Sequence, residues 1–135
     1  MKNLMLLITS LFISVSTFAQ VEIGKVDWYG MYVADLVYYS DNSLTLSYRD
    51  CKYQHIEAFK SIDLDSTGLK ILYKTMLHQL TGTEPIVLKL GDNLVSVNNF
   101  KRKKSIKITI LNERTDITSF FVLRKKDIDK LFGRS

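Results

Sequence analysis

The densest chemistry in this chain is a run of four cations, Lys101, Arg102, Lys103 and Lys104, followed closely by Lys107. Adjacent like charges repel, so such a run needs water or an anion to screen it. These side chains are candidates for holding phosphate, an acidic glycan, an anionic membrane surface, nucleic acid or an acidic protein. Arg124, Lys125 and Lys126 would enlarge the patch if the last strand ends at the same edge. The plainer alternative is a solvated turn that serves solubility.

A second group is aromatic. Trp28, Tyr29 and Tyr32, with Tyr38 and Tyr39 farther along, are candidates for contacting a protein or peptide partner or a glycan. Their rings bury area while keeping a polar tip. Strands also select aromatic residues for core and sheet surface, which is the competing explanation. Along the sequence the two groups stand apart, and only Phe100 adjoins the basic run. If nucleic acid were the ligand, these rings would stack on bases and affinity would fall steeply with salt.

The inventory for catalysis is thin. His55 and His78 lack the i, i+4 spacing of a paired-histidine metal site, so no metal or other cofactor is expected. Cys51 is the single cysteine, and nothing in sequence places His55 or His78 against it to generate a thiolate. Asp63 and Asp65 read as a helix cap rather than an acid/base pair. Nucleophile-elbow, phosphate-loop and S-x-x-K motifs are absent from the sequence. A small hydrolase would need a dispersed site, such as Glu57 with His55. The leading expectation is a non-catalytic binding or inhibitor-like module for a protein or peptide; the alternative is a polyanion binder.

The first 19 residues bear on where this happens. Lys2, an apolar run from Leu4 to Val15, and Thr17-Phe18-Ala19 have the order of a secretory leader, with cleavage expected after Ala19. The apolar run is shorter than the roughly 20 residues of a membrane span. An exported chain, periplasmic or secreted, with no integral span in its mature part is expected. An oxidising compartment makes the unpaired Cys51 either a tolerated thiol or a bridge to a second chain.

Residues 20–135 suit one domain. Charge is unevenly spread over them: residues 101–135 hold 11 Lys and Arg against 4 Asp and Glu, whereas residues 20–100 hold 7 against 10. Lys25 to Tyr39, apolar at both parities, reads as one strand covered on both faces. Leu44 to Tyr48 alternates cleanly after the turn signal Asp41-Asn42-Ser43, and a third strand is expected from His55 to Leu64. Asp65 caps a helix whose apolar stripe is Leu69, Leu72, Tyr73, Met76 and Leu80, with Gln79 and His78 off the stripe and Gly82 as the stop. Four strands follow, around Ile86–Leu90, Leu94–Val97, Ile106–Ile110 and Ser119–Leu123. A short helix with Ile128, Leu131 and Phe132 inward, stopped by Gly133, ends the pattern. The expected fold is α+β: an antiparallel sheet of six to seven strands, one long helix on a face, and a short C-terminal helix.

Overall fold

Two meanders of four strands, each followed by a helix, make up the computed structural model of the chain, which describes residues 20–52, 57–100 and 104–134. In the first half, β1 (Gln20–Trp28), β2 (Met31–Tyr39), β3 (Leu44–Arg49) and β4 (Phe59–Leu64) lead into α1 (Ser66–Gln79). In the second, β5 (Ile86–Leu90), β6 (Asn93–Phe100), β7 (Ser105–Asn112) and β8 (Ile117–Arg124) lead into α2 (Lys125–Leu131). Every strand pairs antiparallel with its sequence neighbours, giving separate sheets ordered β1-β2-β3-β4 and β5-β6-β7-β8. The α+β class agrees with the sequence, but the expected single sheet of six to seven strands is two sheets of four. Strands adjacent in sequence pair within each meander, and α1 carries the chain from one sheet to the start of the next.

The extra strand comes from Lys25 to Tyr39, which is a hairpin and not one strand. Its two-residue turn is Tyr29-Gly30, with φ of 53° and 81°, between the paired residues Trp28 and Met31. Left-handed conformation at both positions is the requirement of a type I′ turn, which Asn-Gly normally satisfies. A tyrosine there gives no turn signal in sequence. Between Val26↔Ala34 and Asp27↔Tyr32 the pairing skips Val33, so Val33 and Ala34 are both buried and Tyr32 turns to the other face.

The sheets meet at the end of β3. The Tyr48 ring stacks on Phe121 at 4.7 Å, and its hydroxyl shares a 2.6 Å hydrogen bond with Ser119 Oγ. Just beyond, Cys51 N–H donates to Phe120 O at 2.8 Å, while Asp50 Oδ1 accepts from the N–H groups of Lys52 and Phe120. These contacts satisfy backbone groups on the open edge of β8 that would otherwise invite another strand. Leu36, Leu46 and Ile62 from one sheet, Val97, Ile108 and Leu123 from the other, and Leu72, Met76, Ile128 and Leu131 from the helices belong to one buried cluster.

The long helix begins as expected, with Asp65 Oδ1 accepting from Gly68 N–H at 2.6 Å. Its end differs. Gln79 is only 1% exposed, and its Nε2 donates to Glu84 O and Val97 O. Asn99 Nδ2 in turn donates to the Gln79 and Leu80 carbonyls. The orphan carbonyls of the last turn are therefore met by a β6 side chain rather than by a left-handed glycine. Gly82 instead leaves room for Gln79 Oε1, which a Cβ would approach to 2.1 Å. His78 is exposed, as the periodicity implies.

At α2, Ile128, Leu131 and Phe132 are buried and Gly133 terminates the helix with φ 69°. Gly133 N–H reaches Lys130 O, and Arg134 N–H reaches Asp129 O, the two bonds of a Schellman motif. Helix α2 presses on β1 at Gly24, where a Cβ would lie 2.1 Å from Leu131 O and 2.2 Å from Lys130 O. Gly24→Ala should cost about 3 kcal/mol, because backbone must move to admit it. A urea denaturation midpoint no lower than that of the parent would contradict this packing.

Candidate functional site

Pressing α2 onto β1 brings the β1–β2 turn beside the end of β8. The geometry is set by Asp127, which is 3% exposed in the first turn of α2. Its Oδ2 accepts from Trp28 Nε1, Arg124 N–H and Arg124 Nε, each at 2.9 Å, and its Oδ1 accepts from an Arg124 terminal nitrogen at 3.2 Å. The backbone bond is half of a capping box; arginine has no acceptor to supply the other half. The Arg124 guanidinium also lies 4.8 Å from the centre of the Trp28 ring. Trp28 and the Arg124–Asp127 pair, far apart in sequence, thus form one locked group.

Burial alone would raise the Asp127 carboxyl. The hydrogen bonds from the Arg124 side chain, the Arg124 N–H and the Trp28 indole outweigh it and hold the group below the usual carboxylate range.

Around this group opens a cleft of about 900 Å³. One wall is Trp28 and Tyr29. Phe100, Ser105 and Lys104 come from the β6–β7 connection, Val122 and Arg124 from the end of β8, and Lys125, Lys126 and Asp129 from α2. Lys104, Lys125 and Lys126 are exposed and make no salt bridge among the described residues. Asp129 is engaged by Tyr73, whose hydroxyl donates to Oδ1 at 2.8 Å; that bond, with burial and the negative charge of Asp129, raises the Tyr73 pKa.

Across the β1–β2 turn lies a second hollow of about 360 Å³, lined by Met31, Tyr32, Val33, Arg49 and Cys51 and sharing Trp28, Tyr29 and Val122 with the cleft. Tyr29 is the ridge between the two, fully exposed at 100%.

The structure sorts the residues singled out in sequence. Trp28, Tyr29 and Lys104 line the cleft, and Lys101, Arg102 and Lys103 lie outside the described residues. Lys107 sits apart from the cleft, its ammonium 4.3 Å from the Phe120 ring centre. Tyr32 lines the second hollow; its hydroxyl donates to Asp35, and burial together with that bond raises its pKa strongly. Tyr38 and Tyr39 are at the opposite end of the hairpin, about 25 Å away along an extended strand, with Tyr38 bonded to Asn42. The five aromatic residues are therefore two separate groups, because β2 runs extended between the turn and the open end of the hairpin.

Arg124, Lys125 and Lys126 do join the aromatic residues, a convergence hidden in sequence by nearly a hundred intervening residues. Phe100 was legible only as the ring adjoining the basic run, and the pairing of Asp127 with Trp28 carried no local signal.

His55 lies outside the described residues, so its pairing with Glu57 has no geometry here. Cys51 is exposed, yet protein packed around its sulfur raises the thiol pKa, with Arg49 pulling the other way. Ser119 shares its hydrogen bond with Tyr48, whose own pKa is raised by burial. No group of His, Cys, Asp and Glu among the described residues could hold a metal ion. No described helix is long and apolar enough to cross a membrane.

No protein-family model matches the chain, and comparison with curated proteins and with solved structures gives no significant match.

Two substitutions test how the cleft is built. Above the ordinary carboxylate pKa Asp127 is charged in both folded and unfolded chains, and its lowered folded pKa stabilises the fold there. Asp127→Asn should cost about 2 kcal/mol at neutral pH. That difference should shrink as pH falls below the unfolded value of about 3.9 toward the folded one. A pH-independent difference between the two denaturation curves would contradict the charge clamp. Tyr29→Asn should raise stability by about 1 kcal/mol, since the turn prefers Asn and no buried contact is lost. A lower thermal midpoint would show that Tyr29 is not strained.

Proposed function

We propose that this chain is an exported, non-catalytic binding module whose working surface is the cleft beside the β1–β2 turn, and that its ligand is an acidic peptide or an acidic segment of a protein. One observation carries the reading: three aromatic rings and four cationic side chains converge on a single hollow. Rings supply area that can be desolvated, and lysines supply steering and selectivity for negative charge. The free charge belongs to Lys104, Lys125 and Lys126, because Arg124 is already bonded by Asp127.

Three further features support binding without chemistry. The Cys51 thiol has a raised pKa, Ser119 bonds to Tyr48, and no histidine lines the cleft among the described residues. The polyanion reading draws on the same lysines, and their convergence with Trp28 and Phe100 suits stacked bases as well. Export, read from the leader, favours protein over nucleic acid.

The test is a titration of a short poly-glutamate peptide followed by the fluorescence of Trp28, the chain's single tryptophan. Replacing Lys104, Lys125 and Lys126 together by Glu should weaken binding roughly tenfold or more, as three attractive contacts become repulsive. Lys70→Glu with Lys74→Glu, on the exposed face of α1, should change it little. Equal losses in the two variants would mean that net charge, and not this cleft, attracts the peptide. Heparin or single-stranded DNA binding far more tightly than poly-glutamate would favour the polyanion reading instead.

A further inference from the structure

The cleft and the second hollow adjoin, with Trp28, Tyr29 and Val122 lining both. Their chemistry differs. The cleft carries three exposed lysines, whereas Met31, Val33 and Tyr32 make the second hollow largely apolar, with Arg49 its one cation. A polyanion with evenly repeated charge would gain nothing from Met31 or Val33. An extended peptide advances about 3.4 Å per residue and points successive side chains to opposite sides, so it can straddle such a ridge. The second hollow is at the small end of ligand-sized cavities, which suits one large side chain.

Tyr29 itself points the same way. It holds a bulky side chain at φ 53°, where Asn or Gly would be relaxed, and leaves the ring fully exposed. Met31, half exposed beside it, extends the apolar surface. Strain retained at a position with no packing role marks a site of function rather than of stability.

We propose that the ligand segment is amphipathic: carboxylates lie against Lys104, Lys125 and Lys126, and a bulky apolar residue one to three positions away enters the hollow across Tyr29. This rests on the cleft being the ligand site. The acidic end gives selectivity for charge, and the apolar end selects one residue type.

The test compares three synthetic heptapeptides by calorimetry on the purified protein. The first has three acidic residues, then glycine and phenylalanine. The second has alanine for the phenylalanine, and the third has the acids replaced by their amides. The first should bind roughly tenfold tighter than the second, the usual discrimination of a side-chain pocket, and the third should not bind at the same concentration. Met31→Gln should cut the phenylalanine advantage to less than about threefold, and Lys125→Glu with Lys126→Glu should weaken both acidic peptides together. Equal affinity for the phenylalanine and alanine peptides, with lysine dependence intact, would overturn the amphipathic ligand and leave the cleft reading standing. Absence of lysine-dependent binding by any peptide would overturn both. A phenylalanine advantage unaltered by Met31→Gln would also overturn the proposal, since the ring would be seated elsewhere.

Discussion

A single buried carboxylate organises the cleft end of this molecule. Asp127 receives bonds from the first hairpin, through Trp28, and from the last strand, through both backbone and side chain of Arg124. Removing such a group from water costs several kcal/mol unless each oxygen is well bonded, and here both are. The result ties the first hairpin to the last strand across two sheets that share no strand pairing. The same bonds begin α2, whose Lys125 and Lys126 line the cleft together with Trp28 and Tyr29. The cleft is a consequence of satisfying one charge.

The repeated order of four strands and a helix explains where the cleft lies. Each helix begins beside the first hairpin turn of the other half. At the start of α1 this produces a hollow of about 350 Å³ against Lys89, Leu90 and Gly91 of β5 and its turn. There the helix start carries Asp63 and Asp65 and no aromatic residue lines the hollow. Equivalent backbone arrangements thus hold opposite charge. The turns differ too: Gly91 takes positive φ without strain, whereas Tyr29 does so with a ring exposed. Topology provides the two hollows; side chains make only one of them aromatic and basic.

Several elements were legible because local forces decide them. The Asp65 cap, the stripe from Leu69 to Leu80, the Leu90–Asn93 hairpin and the Gly133 stop depend on neighbours within one or two turns. The first hairpin was not legible, because Tyr29 adopts a conformation that its residue type disfavours and only the surrounding pairing enforces. Gln79 was misplaced for a related reason. Its polarity suggests solvent, but its partners are Glu84 and Val97, beyond the end of its own helix. Burial of a polar side chain follows from whether its donors are met, which composition does not record.

By itself the sequence determined the α+β class, the position of both helices, the strands with clean alternation, and the gathering of positive charge in residues 101–135. Each is a property of residue type and short-range spacing. The tertiary structure decided that eight strands form two sheets and that Arg124 to Lys126 meet the aromatic turn. These outcomes depend on pairings across tens of residues, where a buried carboxylate finds its donors and a helix finds the one glycine it can press against. Long-range contacts of that kind leave no period in a sequence, because the partners need only be near in space.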